Sequence, residues 1–168
     1  MSSTDYRVLG IDPGLTRLGF GVVEESSGRL KCLRTGTLKT KPGPSPQRLR
    51  TVFEGIGSLI SEFRPAAVAV EKVFLKLNLK TGIPAIQAGG VALLAGALAG
   101  LNVFEYSPAQ VKLSVSGTGT ATKDQVQFMV ARLLPGGPGP DTPDAADALA
   151  IAITHIHMRS MHELQAVR

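Results

Sequence analysis

A five-residue apolar run at residues 66–70, Ala-Ala-Val-Ala-Val, constrains the fold of this chain more than any other segment. Before it, apolar residues recur at helical spacing over residues 49–63, and after it comes a long alanine- and glycine-rich stretch typical of a second helix. A short, uniformly apolar run between two helices indicates a strand covered on both faces, as in a parallel sheet. The chain is therefore predicted to be an α/β protein.

The other strands extend this prediction to a mixed sheet. Residues 6–11 form a first strand that ends at Asp12, because the following Pro-Gly pair punctuates a turn. Residues 19–24 and 30–38 continue as an antiparallel meander, and residues 103–106 form a further strand. The expected fold is a mixed five-stranded sheet, an antiparallel meander plus parallel strands, flanked by helices.

The length of 168 residues fits one domain, residues 1–168, with a flexible tail over residues 160–168. The N-terminus has neither the basic start nor the apolar centre of a signal peptide. Residues 81–104 carry no charge, but their Ala and Gly content makes them only weakly apolar, so we predict a helix buried inside the protein and not a membrane span.

Cys32 is the only cysteine, which excludes an intrachain disulfide and a Cys-based zinc site. A soluble, cytoplasmic protein is expected.

Two acids stand where predicted strands end. Asp12 follows the first strand and Glu71 follows the apolar run, and active sites of open α/β sheets lie beyond the carboxyl ends of the strands. Each acid also has a simpler explanation. Asp is favoured as the first residue of a turn, and a Glu at a strand end is often an ordinary surface charge.

Two further acids begin the last helix. Thr142 and Pro143 are typical of a helix N-cap and first helical position, which puts Asp144 in the first turn and Asp147 on the same face. The residues that follow, 148–153, are apolar throughout, so this helix is predicted to be buried. A second carboxylate at the start of a buried helix needs a partner, because burial of an unpaired charge is costly.

Together the four acids predict an all-oxygen pocket of the kind that Mg²⁺ or Mn²⁺ prefers. Two such ions about 4 Å apart can activate a water and stabilise the leaving oxygen during phosphodiester cleavage. The three histidines do not predict a second metal site, since two of them face different sides of the last helix; they are His155, His157 and His162.

Five ordered blocks of this chain resemble the RuvC family of Holliday-junction resolvases. They are Gly-Ile-Asp-Pro-Gly at 10–14, Val-Glu-Lys-Val-Phe at 70–74 with Asn78, Val-Phe-Glu-Tyr at 103–106, residues 110–123 with their Gly-Thr-Gly-Thr centre, and residues 144–155. The first block alone is weak, because other ribonuclease-H-like domains and actin-like ATPases carry Asp and Gly there. The full set spans nearly the whole chain.

The resemblance implies a ribonuclease-H-like fold and a homodimer that nicks two opposed strands of a four-way DNA junction. It implies hydrolysis with two Mg²⁺ ions, for which Mn²⁺ substitutes, and it places the catalytic and metal-binding acids at Asp12, Glu71, Asp144 and Asp147. Partnership with the RuvA and RuvB branch-migration proteins, and action at the nucleoid in recombination and repair, are implied in the same way.

Two segments are candidates for DNA binding, and the net charge of +5 suits a polyanionic partner. The loop after Glu71 interleaves cations with an aromatic ring, which suits phosphate neutralisation and base stacking; its candidates are Phe74, Lys76, Asn78 and Lys80. Alternatively, Phe74 packs into the core.

The second segment is a glycine turn between two lysines, with candidates Lys112, Thr118 and Lys123. An ordinary linker between helices is the alternative.

Other functions stay open on the sequence alone. A different ribonuclease-H-like nuclease, such as one that trims ribosomal RNA precursors, and a junction-binding module without catalysis are the main ones. An actin-like ATPase is disfavoured, because the chain is too short for a two-lobed fold. Gly90, Gly96 and Gly100 thin one side of the central helix, either for packing within the fold or for a dimer interface.

Overall fold

The structure is a computed structural model that describes residues 5–75 and 78–166, with side chains described as far as residue 159. Within these residues the chain forms five strands and five helices. The strands are β1 (Tyr6–Asp12), β2 (Arg17–Ser26), β3 (Arg29–Lys39), β4 (Ala67–Glu71) and β5 (Asn102–Tyr106). The helices are α1 (Ser45–Phe63), α2 (Leu79–Leu98), α3 (Pro108–Ser116), α4 (Lys123–Leu133) and α5 (Pro143–Ala166).

The strands form one mixed sheet in the order β3-β2-β1-β4-β5. β1, β2 and β3 pair antiparallel, whereas β4 pairs parallel to both β1 and β5. The predicted fold class, a meander extended by parallel strands, is confirmed. β2 begins two residues earlier than predicted, because its pairing with β3 continues to Arg17 opposite Lys39.

Helices cover both faces of the sheet. On one face α1 and α2 pack over Leu9, Ile11 and Val68, and on the other α5, α3 and α4 pack over Val8 and Val23. The apolar run is fully buried from Ala67 to Val70, as its sequence predicts. Cys32 is a buried free thiol, and burial raises its pKa to about 11.

A row of glycines brings α5 into direct contact with β1 and β2. A Cβ atom at Gly10 would overlap the carbonyl oxygen of Ala148, and one at Gly19 would overlap that of Asp144. Gly21 lies under Leu149 in the same way. The predicted burial of the helix after Asp147 is confirmed. The backbone of α5 continues through residue 166, so the predicted tail begins as helix and its flexibility stays a prediction.

The prediction that residues 81–104 form a buried helix is only half right. The helix is α2, and it buries its small residues, such as Ala88, Ala92 and Ala95, against the sheet. Five of its larger aliphatic side chains lie on the opposite face and are exposed; they are Leu79, Ile83, Ile86, Leu94 and Leu98. By length and apolarity alone α2 would be able to cross a membrane, which is weak evidence for a helix of this composition.

The three glycines around α2 have different roles. Gly96 packs against Val103 and Val68, so it allows α2 to approach the sheet. Gly100 adopts a left-handed conformation, with φ of 73°, in the turn after the helix. Gly90 faces open space in the exposed stripe. Packing therefore accounts for Gly96, and Gly90 remains available to a partner.

Candidate active site

Two acids are brought side by side by the parallel pairing of β1 and β4. Asp12 is the last residue of β1 and Glu71 is the last residue of β4. The register pairs Ile11 with Val70, one residue before each acid. Both carboxylates therefore lie at the same edge of the sheet, as their positions in the sequence predict.

The other two acids are placed by the start of α5. The Thr142 hydroxyl accepts a hydrogen bond from the Ala145 amide (3.2 Å), so Thr142 caps the helix as predicted. Thr142 is held in turn by Thr37 of β3, with 2.7 Å between the two hydroxyl oxygens. Because the glycine row seats this end of α5 on β1 and β2, the first turn, with Asp144 and Asp147, reaches the strand-end acids.

The electrostatics of Asp12 show that the other three acids lie close enough to repel its charge, and these four acids are referred to below as the carboxylate cluster. The pKa of Asp12 is raised to about 8, chiefly by burial and then by the negative charges of Glu71, Asp147 and Asp144, in that order. Lys123 opposes the rise with its positive charge. The structure thus brings together all four acids that the sequence nominates, in an arrangement that disfavours full ionisation.

Two cations partly neutralise this cluster. Lys123, the first residue of α4, donates a hydrogen bond from Nζ to Asp147 Oδ2 at 2.7 Å, and this hydrogen bond raises the pKa of the lysine. Nε of Arg17, the first residue of β2, lies 3.2 Å from Asp144 Oδ2. The guanidinium is within ion-pair distance but outside hydrogen-bond geometry, so this buried oxygen has no hydrogen-bond partner among the described residues.

The donor set fits a hard divalent cation. Among the described residues no three His, Cys or acidic side chains are gathered closely enough to form a ready-made metal cage. The mutual repulsion of the acids and the unsatisfied Asp144 oxygen are nevertheless what a cation at this edge would relieve. Asp12, Glu71, Asp144 and Asp147 are the residues that would hold it.

A cleft of about 240 Å³ opens beside the acids. The residues that line it include Glu71, Asp147, Lys112 of α3 and Lys123 of α4. α3 and α4 are each started by a capping box, at Ser107 and Thr122, which orients these two helices. The structure therefore places both predicted lysines at the acids.

The turn between these helices holds the predicted Thr118. Its Oγ1 lies 2.9 Å from Oγ1 of Thr120, and Gly117 before it is left-handed with φ of 81°. Thr118 is exposed, so its side chain is accessible to a ligand.

The loop after Glu71 points its aromatic ring outward. Phe74 is 51% exposed and Leu75 is exposed as well, so the alternative that Phe74 packs into the core is wrong. Asn78 caps α2 by accepting a hydrogen bond from the Lys80 amide (3.1 Å), which gives it a structural role. Lys80 is exposed, and Lys76 lies outside the described residues.

The buried histidine has no part in this site. His155 Nδ1 hydrogen-bonds the Tyr106 hydroxyl (2.8 Å) and Nε2 hydrogen-bonds the Tyr6 hydroxyl (3.0 Å). The exposed His157 contacts Ser114. His162 lies outside the described side chains, so the absence of a second metal site stays a prediction.

Sequence reasoning missed Arg17 and Thr37. Both lie on the meander strands, and their relation to α5 depends on the sheet register and on the glycine row. The alternation of β2 carries a partial signal, since Arg17 has the same parity as Gly19 and Gly21, which face α5.

Comparison with known proteins gives consistent matches. The family model described as "Crossover junction endodeoxyribonuclease RuvC" matches residues 8–155. Proteins of that name are similar throughout: one from Nitrosomonas eutropha is 47% identical over 156 residues, covering 93% of this chain and 87% of the relative. Another from Rubrobacter xylanophilus is 47% identical over 161 residues, covering 95% and 90%.

Among solved structures, Thermus thermophilus RuvC in complex with a Holliday junction substrate superimposes with a TM-score of 0.86. It is 36% identical in sequence, and the match covers 94% of this chain and 96% of that one.

Proposed function

Since this chain belongs to the RuvC family of crossover junction endodeoxyribonucleases, we propose that it resolves four-way DNA junctions by paired, symmetric hydrolysis of two phosphodiester bonds. The products are ligatable nicks with 5′-phosphate and 3′-hydroxyl ends, and the process served is homologous recombination and DNA repair. The observation that carries the proposal is the convergence of four acids from β1, β4 and α5 on one edge of the sheet, within a family match over residues 8–155.

The catalytic and metal-binding residues in this proposal are Asp12, Glu71, Asp144 and Asp147. Two Mg²⁺ ions, with Mn²⁺ able to substitute, supply a water nucleophile and stabilise charge on the leaving oxygen when bound. Asp12 must lose its proton to become a ligand, since burial and its neighbours raise its pKa to about 8. Lys123 must release Asp147 to make that carboxylate fully available.

Lys112 and Lys123 are proposed to bind the backbone of the cut strand. Both line the cleft beside Glu71 and Asp147, where a phosphate would meet them directly. Thr118 in the turn between their helices adds an exposed hydroxyl to the same surface.

Phe74 is proposed to stack on an unpaired base at the junction centre. An aromatic side chain half exposed to water on a loop loses little by exchanging water for a base. Lys76, Asn78 and Lys80 are proposed to bind phosphates around it.

We propose that the active unit is a homodimer formed through the exposed face of α2. The aliphatic stripe on that face follows helical spacing, with Gly90 at its middle. A contiguous apolar stripe on a helix is typical of a protein interface, and a glycine allows two backbones to approach closely. Two cuts on opposed strands require two active sites, which a symmetric dimer supplies.

We also propose partner proteins and a cellular location for this chain. RuvA and RuvB are the branch-migration proteins expected to deliver junctions to a resolvase of this family. The chain is proposed to act as one domain over residues 1–168, in the cytoplasm at the nucleoid.

Cleavage of a labelled synthetic four-way junction in Mg²⁺ tests the proposed function. The comparison substrates are a linear duplex of the same sequence and an RNA duplex, and the control variant is Asp12→Asn. Paired symmetric nicks in the junction alone, absent with the variant, are expected. Equal cutting of the linear duplex or RNA would contradict junction resolution, and unchanged cutting by the variant would contradict the carboxylate assignment.

A further inference from the structure

Two cations stand beside the acids on the β2–β3 side of the sheet, away from the β4 side that carries Glu71. Arg17 begins β2 and Lys39 ends β3, and the register pairs them directly. Cross-strand partners project from the same face of a sheet, here the face on which Gly19 and Gly21 meet α5. Both side chains are exposed, so two adjacent positive charges border the start of α5.

Neighbouring residues neutralise only part of the positive charge of Arg17 and Lys39. Like charges directly opposite each other on paired strands are destabilising. Arg17 is offset by Asp144 at 3.2 Å, whereas Lys39 forms no ion pair among the described residues. A bound anion between the two side chains would stabilise this arrangement.

A third cation holds the pair in place. Arg48 of α1 donates from Nε to the Thr40 hydroxyl at 2.9 Å and from its terminal nitrogen to the Thr16 hydroxyl at 2.8 Å. These threonines are the neighbours of Lys39 and Arg17, and the Thr40 amide also donates to the Thr16 carbonyl at 3.1 Å. The two strand ends are therefore joined before any ligand binds. The hydrogen bonds of Arg48 go to uncharged hydroxyls, so its charge adds to the positive potential.

We propose that Arg17 and Lys39 form a phosphate-binding site for the strand that is cut, on the side of the acids away from Lys112 and Lys123. In the metal-free protein Arg17 serves as the counterion of Asp144. A divalent ion bound by Asp144 would replace this counterion. The Arg17 guanidinium would then be available to a backbone phosphate, for which its planar fork is well suited. This inference rests on the proposed function.

The first test measures metal binding by the free protein, without DNA. Mn²⁺ is titrated into Arg17→Gln, Lys39→Gln and the unmodified protein by calorimetry. Loss of the competing cation is expected to tighten Mn²⁺ binding roughly three- to tenfold in Arg17→Gln, with little change in Lys39→Gln. Equal affinity in Arg17→Gln and the unmodified protein would overturn the counterion role.

The second test measures junction binding in an Asp12→Asn background, which removes cleavage from the readout. The variant Arg17→Gln/Lys39→Gln is compared with Arg29→Gln/Lys31→Gln, which removes two positive charges from the start of β3, at the other end of the hairpin. In the first variant only, the slope of log Kobs against log salt is expected to fall in magnitude by about 0.9 for each phosphate that the protein no longer neutralises.

The outcomes of the second test separate the two ideas. Equal slopes and affinities for the two double variants would overturn the phosphate site while leaving the proposed function intact. Failure of the Asp12→Asn parent to bind the junction in preference to linear duplex would instead count against the proposed function, and the phosphate site would fail with it.

Discussion

At the residue scale, the main feature of the proposed active site is the mutual repulsion of its four carboxylates. Asp12 carries the largest consequence, because it is enclosed between two strand ends and the start of α5. Its raised pKa arises first from burial and then from the charges of Glu71, Asp147 and Asp144. The four acids therefore lower the stability of the metal-free protein, and a cation bound at the proposed site would offset this loss.

Asp12→Asn is expected to stabilise the metal-free protein. The pKa of the Asp12 carboxyl group rises from 3.8 to about 8 on folding. The stability that the protonated carboxyl group contributes is therefore complete below pH 3.8 and is lost as pH rises towards 8. Asparagine does not titrate, so the variant does not lose this stability as pH rises. At pH 7.5 its free energy of unfolding should exceed that of the unmodified protein by on the order of 5 kcal/mol.

Urea denaturation in EDTA at pH 5, 6.5 and 8 measures this difference. The gap between the two proteins should widen with pH and should shrink or reverse in Mg²⁺, which stabilises only the intact site. Parallel pH curves for the two proteins would show that Asp12 is ionised normally.

Phe74→Ala is expected to weaken junction binding by about 5- to 150-fold, the equivalent of a lost base stack of roughly 1–3 kcal/mol. Phe74→Trp should retain affinity, because a larger ring stacks as well. Fluorescence anisotropy with a labelled junction measures the effect. Phe53→Ala, at a partly exposed aromatic of α1, is the matched control, and an equal loss in both alanine variants would argue against stacking.

At the element scale, the position of α5 decides whether the acids form a site. The helix approaches β1 and β2 closely because Gly10, Gly19 and Gly21 leave no side chain between them. Thr37 and Thr142 then anchor its first turn to β3. Asp144 and Asp147 consequently reach acids that lie about 70 and 130 residues away in the chain.

Gly10→Ala is expected to lower stability by roughly 1–3 kcal/mol or more, because the added methyl overlaps the backbone of α5. Displacement of α5 should also reduce cleavage. Gly57→Ala is the matched control: this glycine lies within α1 and a Cβ there meets nothing within 4 Å, so alanine should stabilise by about 0.5–1 kcal/mol. Thermal unfolding of both variants measures the two effects, and the same sign for both would contradict this account.

At the scale of the whole molecule, the two faces of α2 have separate roles. Its small residues pack on the sheet, whereas its aliphatic stripe has no cover within the described chain. Burial of that stripe in a symmetric dimer would place two active sites in one particle, which paired cutting requires.

Leu94→Glu is expected to convert the protein to a monomer, because it places a charge within the apolar stripe. Leu113→Glu on α3 is the control, since Leu113 is 58% exposed and Leu94 is 53% exposed. Sedimentation equilibrium should show a monomer for the first variant and a dimer for the second. The monomer should lose paired cutting of the junction. A monomeric unmodified protein, or a dimeric Leu94→Glu, would rule out this interface.

Local sequence patterns were enough to define the strand order and the first two helices, and to nominate all four acids. The apolar run before Glu71, the turn after Asp12, and the cap before Asp144 and Asp147 follow from the spacing of neighbouring residues. The strand-end positions and the helix start also predicted a shared pocket, although each acid alone is explained as a turn or surface residue. The family resemblance points to the same four residues.

The surroundings of the acids, in contrast, emerged only from the folded structure. The Arg17 contact with Asp144, the pairing of Arg17 with Lys39, the raised pKa of Asp12 and the exposed face of α2 all depend on residues distant in the chain. The apolar composition of α2 predicted burial, but it does not distinguish a face that packs on the sheet from one that awaits another surface. Register and burial are properties of elements in contact, so they arise only when the sheet and its helices have assembled.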